Sequence, residues 1–238
     1  MFWEVASIES WVNPNLIPAP TKIFAALVDW IYKGNFFMDF VTSLWRGLVG
    51  FLIGGSIGII LGLYTGRIET INYLLSPICN VIRAFPPVSL IPVFITFFGI
   101  GDFSKIFSIS FATIFPVWIN THLGANSIPL EYIRSGKLLT NSKRKYFLRI
   151  VFPASLSSIV AGCRISIAVA FVMLYVSELA GSSSGLGYQI SDSQLSFRMD
   201  KMFAALFVLG FTAAIIDIIY VRSIMFFFPW LKQKLEKK

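Results

Sequence analysis

Five apolar stretches, each with at least about the twenty residues that a helix needs to cross a bilayer, fill most of this 238-residue chain and restrict its fold more than any other feature. Too little sequence lies between them for a separate domain in water. Hydrophobic residues make up 56% and charged residues 13%, against about 25% charged in a soluble domain, and mean hydropathy is +0.75. A water-soluble globule is excluded. Residues 1–238 read as one all-α membrane unit with about five transmembrane helices, its core at about 43–225.

The spans are expected at about Leu44–Tyr64, Ile71–Gly101, Lys105–Gly124, Leu156–Ala180 and Met202–Phe227. Residues 1–12 lack a basic region and a continuous apolar core, so no cleavable signal peptide is visible. Prolines punctuate 13–20, and a short amphipathic helix follows from about Thr21 to Lys33. In the first span, Gly50, Gly54, Gly58, Gly62 and Gly66 recur every fourth residue, forming one helical ridge that another helix can approach closely. Packing within one subunit and packing between subunits both satisfy that pattern. The second span is interrupted by Arg83-Ala84-Phe85-Pro86-Pro87 and again by Pro92. Adjacent prolines leave carbonyls unpaired, which a membrane tolerates only against protein or a water-lined path. A broken helix lining a transport route and a plain proline kink both fit.

The formal charge is +8 and the pI near 9.6, but the basic residues sit in short connections rather than along a folded surface. Anionic lipid and cytoplasmic partners suit them better than nucleic acid. From Glu131 to Arg149 there are six basic residues, Arg134, Lys137, Lys143, Arg144, Lys145 and Arg149, against one acid. The positive-inside rule puts this loop in the cytoplasm, together with the tail carrying Lys232, Lys234, Lys237 and Lys238. The amino terminus and the Gly181–Lys201 loop then fall outside.

No GxxxxGK[ST] phosphate loop and no GxSxG elbow occurs, so this chain has no visible means of hydrolysing ATP or of nucleophilic catalysis. His122 stands alone and reads as a polar helix-end residue; Cys79 and Cys163 read as packing residues. Among ionisable groups in apolar sequence, Arg164 and Glu178 share one helix about 21 Å apart, too far to pair, and are expected near opposite membrane edges. Asp217 and Arg222 are expected near the cytoplasmic end of the last span. Asp217 suits either a paired structural carboxylate or an ion site.

Residues 131–153 read as a helix from about Pro129 to Leu139, a turn at Thr140-Asn141-Ser142, and a second amphipathic helix, capped by Ser142, leading to Pro153. Its apolar positions are Leu138, Leu139, Tyr146, Phe147, Ile150 and Val151. Such a hairpin docks on another protein or lies on anionic lipid.

Several short segments, in order, carry a resemblance across most of the chain: Ile17-Pro18-Ala19-Pro20, Ser43-Leu44-Trp45-Arg46, the Arg83/Pro86-Pro87 break, Phe98-Gly99-Ile100-Gly101, Ser104-Lys105-Ile106, Asn120-Thr121, Gly162-Cys163-Arg164, and Glu178 with GSSSGLG at 181–187. In this respect the sequence resembles the permease subunits of binding-protein-dependent ABC importers, in the nitrate/sulfonate/taurine branch. That family's cytoplasmic coupling motif, aligned back from Phe152-Pro153, falls on Arg134-Ser135-Gly136, Thr140 and Ile150. Its acidic residue is replaced by Arg134 and its turn glycine by Thr140. Members of the branch usually have six spans, whereas only 16 residues precede Ile17 here; the extra helix is absent or the start is truncated.

The resemblance implies a permease in the cytoplasmic membrane of a prokaryote that makes and breaks no bonds. A cytoplasmic ATPase dimer, holding the ATP and magnesium, would dock on Arg134, Ser135, Gly136, Thr140, Lys143, Arg144, Lys145, Ile150 and Pro153. A second permease copy would complete the path, and an extracytoplasmic solute-binding protein would deliver a small solute near Gly185-Leu186-Gly187. Candidate path residues are Arg83, Phe85, Pro86, Pro87 and Glu178; Gly50, Gly54, Gly58 and Gly62 are candidates for subunit packing. The rivals are an ion-coupled secondary transporter, which would show inverted repeats and a midplane acid, and a lipid-bound membrane scaffold.

Overall fold

The computed structural model describes residues 2–9, 11–140 and 142–231, without the side chains of Lys137, Lys143 and Leu231. The basic tail beyond Leu231 and the Asn141 turn position lie outside the described residues. Hydrocarbon offers no partner for backbone polar groups, so a chain this apolar must pair them within each segment. Helices are the result, with no strand among the described residues. Two helices precede the spans, α1 (Phe2–Ile8) and α2 (Pro20–Lys33). Pro20 opens α2, where a missing N–H costs nothing, and the chain leaves the helix at Gly34.

Four single helices are long and apolar enough to cross a membrane: α3 (Phe36–Arg67), α6 (Asp102–Asn126), α9 with its preceding turns (Arg144–Leu179), and α11 (Met199–Phe227). The fifth candidate crossing is a bent pair, either a broken span or a re-entrant loop. Helix α4 (Glu69–Ala84) stops before Pro86, a 3-10 turn covers Pro87–Leu90, and α5 (Ile91–Phe98) leaves at 83° to α4. Pro86 and Pro87 supply no N–H, which is why the helix cannot continue through them. The break anticipated from the two prolines is therefore a change of direction and more than a kink.

Helices α3, α6 and α9 form the centre. The glycine ridge of α3 lies on α6 of the same chain. A Cβ on Gly50 would meet Ile109 at 2.7 Å, one on Gly58 the Ile114 carbonyl at 2.6 Å, and one on Gly66 the Cβ of Ala125 at 2.7 Å; Gly54 and Gly62 face Thr113 and Thr121. The opposing residues 109, 113, 117, 121 and 125 also recur every fourth position, so two matching ridges run side by side. The ridge is thus occupied inside the subunit and is not available for packing a second copy.

Between α6 and α9 lies α7 (Leu130–Leu139), then one helical turn, α8 (Lys143–Tyr146), and a π-helical turn (Phe147–Val151) that runs straight into α9 (Phe152–Leu179). The second helix of the loop is therefore not a separate piece ending at Pro153. Pro153 lies inside this continuous helix, directly after the π-helical turn, whose altered bonding accommodates the N–H that proline lacks. Helix α10 (Leu186–Leu195) joins α9 to α11 at the opposite end of the bundle.

Candidate functional site

Two places, one at each end of the bundle, gather many of the polar residues of this apolar chain. At the first, α7 folds back on the π-helical turn. Gly136 makes this possible: the Ile150 side chain occupies the space where a Cβ would stand. Ala125, Ile128, Ile133 and Val151 form a small core beneath the hairpin, with Tyr146 and Phe147 packed against it. Ser142 Oγ accepts from Lys145 N at 3.5 Å, a loose version of the expected cap. Leu138 and Leu139, two of the apolar positions read from the sequence, stand 88% and 83% exposed at the tip. Arg134, Ser135, Arg144, Lys145 and Pro153 are exposed, Thr140 and Ile150 half-buried. The Lys143 side chain lies outside the described residues.

At the second place, three carboxylates and an arginine are tied together. The Glu178 side chain is 0% exposed. Its Oε1 accepts from Arg46 Nη1 at 2.8 Å, its Oε2 accepts from Gly187 N at 2.8 Å, and Ser43 Oγ lies 2.8 Å from both. Arg46 extends the network, donating Nε to Asp102 Oδ1 at 2.8 Å and Nη1 to Ser182 Oγ and the Ser184 carbonyl. Asp39 accepts from Gly185 N at 2.8 Å and from Gln189 Nε2 at 2.9 Å, while Ser43 Oγ accepts from Leu186 N at 2.7 Å. Burying such charges is tolerable only when each is paired and hydrogen-bonded, and here the donors are the side chains of Arg46, Ser43 and Gln189 together with three backbone N–H groups of the 181–187 turn, those of Gly185, Leu186 and Gly187. The cluster fastens that turn and α10 to α3, α6 and α9. Gly185 has φ +121°, and a Cβ there would stand 2.5 Å from Glu178 Oε1, so only glycine fits.

Glu178 is therefore sealed inside a structural clamp and does not line an open path, as the sequence expectation had it. The other path candidates lie elsewhere: Arg83, Phe85 and Pro86 are exposed and Pro87 half-buried at the α4–α5 bend. From the sequence, Ser43 and Arg46 enter only within the resemblance, with no role, and Asp39 and Asp102 not at all. A usable signal existed, because 39, 43, 46 and 50 fall on one helical face continuous with the glycine ridge, and a face that packs on protein is where an intramembrane arginine belongs. The position of Arg164 also differs from expectation. It lies in mid-span and pairs with Asp217 of α11, Nε to Oδ1 at 2.9 Å and Nη2 to Oδ2 at 2.8 Å. The sequence supplied the possibility of a paired Asp217 but not its partner.

Comparison with known proteins places this architecture. A family profile described as the binding-protein-dependent transport system inner membrane component matches residues 54–233. The chain is 30% identical over 215 residues to the putative aliphatic sulfonates transport permease protein SsuC of Bacillus subtilis, covering 90% of this chain and 78% of that one. It is 32% identical over 176 residues to the nitrate import permease protein NrtB of a Synechocystis species, covering 74% and 64%. Among solved structures, an inward-facing form of the MetNI methionine ABC transporter superposes with a TM-score of 0.64 at 19% identity, covering 77% of this chain and 91% of that one. That likeness is one of fold alone. The hairpin between the third and fourth crossings, the bent second crossing and the profile agree: the chain belongs to the binding-protein-dependent inner membrane components and is a permease of an ABC importer in the nitrate/sulfonate branch.

Proposed function

We propose that the hairpin of α7, α8 and the π-helical turn is the handle by which a cytoplasmic ATPase pair, carrying the ATP and magnesium, drives this permease. The observation that carries this reading is the tip. Leu138 and Leu139 are almost fully exposed beside exposed Arg134, Arg144 and Lys145, and two adjacent leucines on a basic cytoplasmic loop gain most by entering a groove on another protein. The hairpin is stiff enough to transmit motion. Its base is fixed by the Gly136–Ile150 contact and by fully buried Val151, and its second limb is the beginning of the α9 helix itself. Movement of the tip therefore displaces a membrane helix without an intervening flexible joint.

A second copy of the chain, or a close relative, completes the path, with the bend at Arg83–Pro87 on its wall. The apolar residues of α4 are exposed in the single subunit and need lipid or protein beside them, whereas the proline-freed carbonyls need protein or water. An extracytoplasmic binding protein delivers a small solute at the clamp end. Two states of the path require different contacts in each, and the ATPase supplies that difference through the hairpin. Reconstitution tests this directly. Uptake into proteoliposomes is expected only when ATPase subunit, binding protein and ATP are all present. Uptake by the chain alone under an ion gradient would reverse the reading in favour of a secondary transporter.

A further inference from the structure

The Arg164–Asp217 pair takes no part in the hairpin or the clamp. Arg164 lies twelve residues into α9, about 18 Å from its start, and Asp217 lies ten residues before the end of α11, about 15 Å from it. In a hydrocarbon layer about 30 Å thick both sit near the middle. Their side chains nevertheless remain 54% and 33% exposed on the surface of the single chain. Hydrocarbon is the least favourable surrounding for charge, so this surface faces protein or water and not lipid.

What surrounds the pair leaves it accessible. One turn to either side on α9 are Ala161 and Ala168, and one turn before Asp217 on α11 are Ala213 and Ala214, small residues that leave room beside the ions, whereas Val160 and Ile167 on the packed side of α9 are buried. The frame is fixed: Tyr220, one turn beyond Asp217, donates its hydroxyl to the carbonyl of Val160, one turn before Arg164, at 3.1 Å. Asp217 engages Nε and Nη2 of the guanidinium, and among the described residues Nη1 has no partner. An arginine held by two of its nitrogens, with the third directed elsewhere, presents a planar donor edge suited to the oxygens of a sulfonate, nitrate or carboxylate group.

We propose that Arg164 is a contact for the oxyanion group of a solute in transit, and that Asp217 is the positioning residue that orients it. This rests on the permease reading. The neutral pair suits passage better than a lone arginine would: Asp217 offsets the positive potential, so an anion is attracted without being trapped, as conduction requires.

The test uses the assembled transporter, with Cys79 and Cys163 replaced by alanine and Ala168→Cys introduced. Two water-soluble thiol reagents serve as probes, one ending in a sulfonate and one in a quaternary ammonium, applied with and without ATP. Modification is expected in at least one of these states, faster for the sulfonate reagent, and the anion-to-cation rate ratio is expected to fall about fivefold or more in Arg164→Gln while Arg164→Lys, which keeps the charge, retains most of it. Absence of modification by both reagents would overturn the proposal, showing the surface covered by the second copy. So would a ratio indifferent to Arg164→Gln in protein that assembles normally. ATP hydrolysis stimulated by the binding protein, measured on the same preparation, separates the two failures: a stimulated transporter with no labelling refutes this inference alone, and an unstimulated one refutes the permease reading.

Discussion

Gly58→Ala and Gly55→Ala make the same chemical change three residues apart, and the structure assigns them opposite consequences. At Gly58 a Cβ would stand 2.6 Å from the Ile114 carbonyl oxygen and 2.8 Å from Val117 Cβ, whereas ordinary contact begins at 3.4 Å. The obstacle at 2.6 Å is backbone, so no side-chain rotation relieves it, and α3 and α6 must separate locally by about 0.8 Å. Overpacking of this kind costs about 1–3 kcal/mol, with lost contact along the neighbouring ridge positions adding to it. At Gly55 a Cβ meets nothing within 4 Å, and the gain in helix preference leaves stability unchanged or raised by up to ~1 kcal/mol. Thermal unfolding of the purified permease complex in one detergent, followed by tryptophan fluorescence, is the assay. Gly58→Ala is expected to melt several degrees lower, with Gly55→Ala at or above the parent. Equal melting of the two variants would refute the placement of the ridge on α6.

Further outcomes are expected at the two ends. Arg46→Ala leaves Glu178 buried without its cation, a loss of about 3–5 kcal/mol, and should abolish assembly; Arg46→Ala combined with Glu178→Ala should recover part of it, measured as yield of folded complex. Gly185→Ala forces a side chain into the Glu178 carboxylate at positive φ and should loosen α10, read as faster amide exchange over 182–195 than in the parent. Reversing charge at Lys143, Arg144 and Lys145 should lower ATPase co-purification with membrane insertion intact, and undiminished complex would count against that face. Leu138→Asp with Leu139→Asp should remove binding-protein-stimulated ATP hydrolysis while leaving the melting temperature unchanged, because neither side chain is packed.

The helices and their order were legible because apolar length and proline position act locally: a run of twenty apolar residues and a Pro-Pro pair dictate helix and break wherever they occur. The hairpin was legible for the same reason, through its charge and its turn residues. What sequence could not supply were pairings across helices. Glu178 and Arg164 look alike in sequence, two isolated charges in the same apolar helix, yet Glu178 is sealed by Ser43, Arg46 and Gly187 while Arg164 stands open beside Asp217. The difference depends on which residues of α3, α10 and α11 arrive opposite, and that is set by packing rather than by neighbours in sequence. The continuity of Arg144–Leu179 through Pro153 is not legible in sequence, because it depends on a π-helical turn just before the proline that takes up its missing N–H.

Grip of the hairpin tip by a nucleotide-driven partner can be observed directly in living cells. A photoreactive phenylalanine analogue at position 138, activated by light, should yield one dominant protein adduct, the cytoplasmic ATPase subunit, at a yield that changes when ATP is depleted. Adducts with phospholipid alone, or accessibility of that position to a reagent confined outside intact cells, would contradict the account.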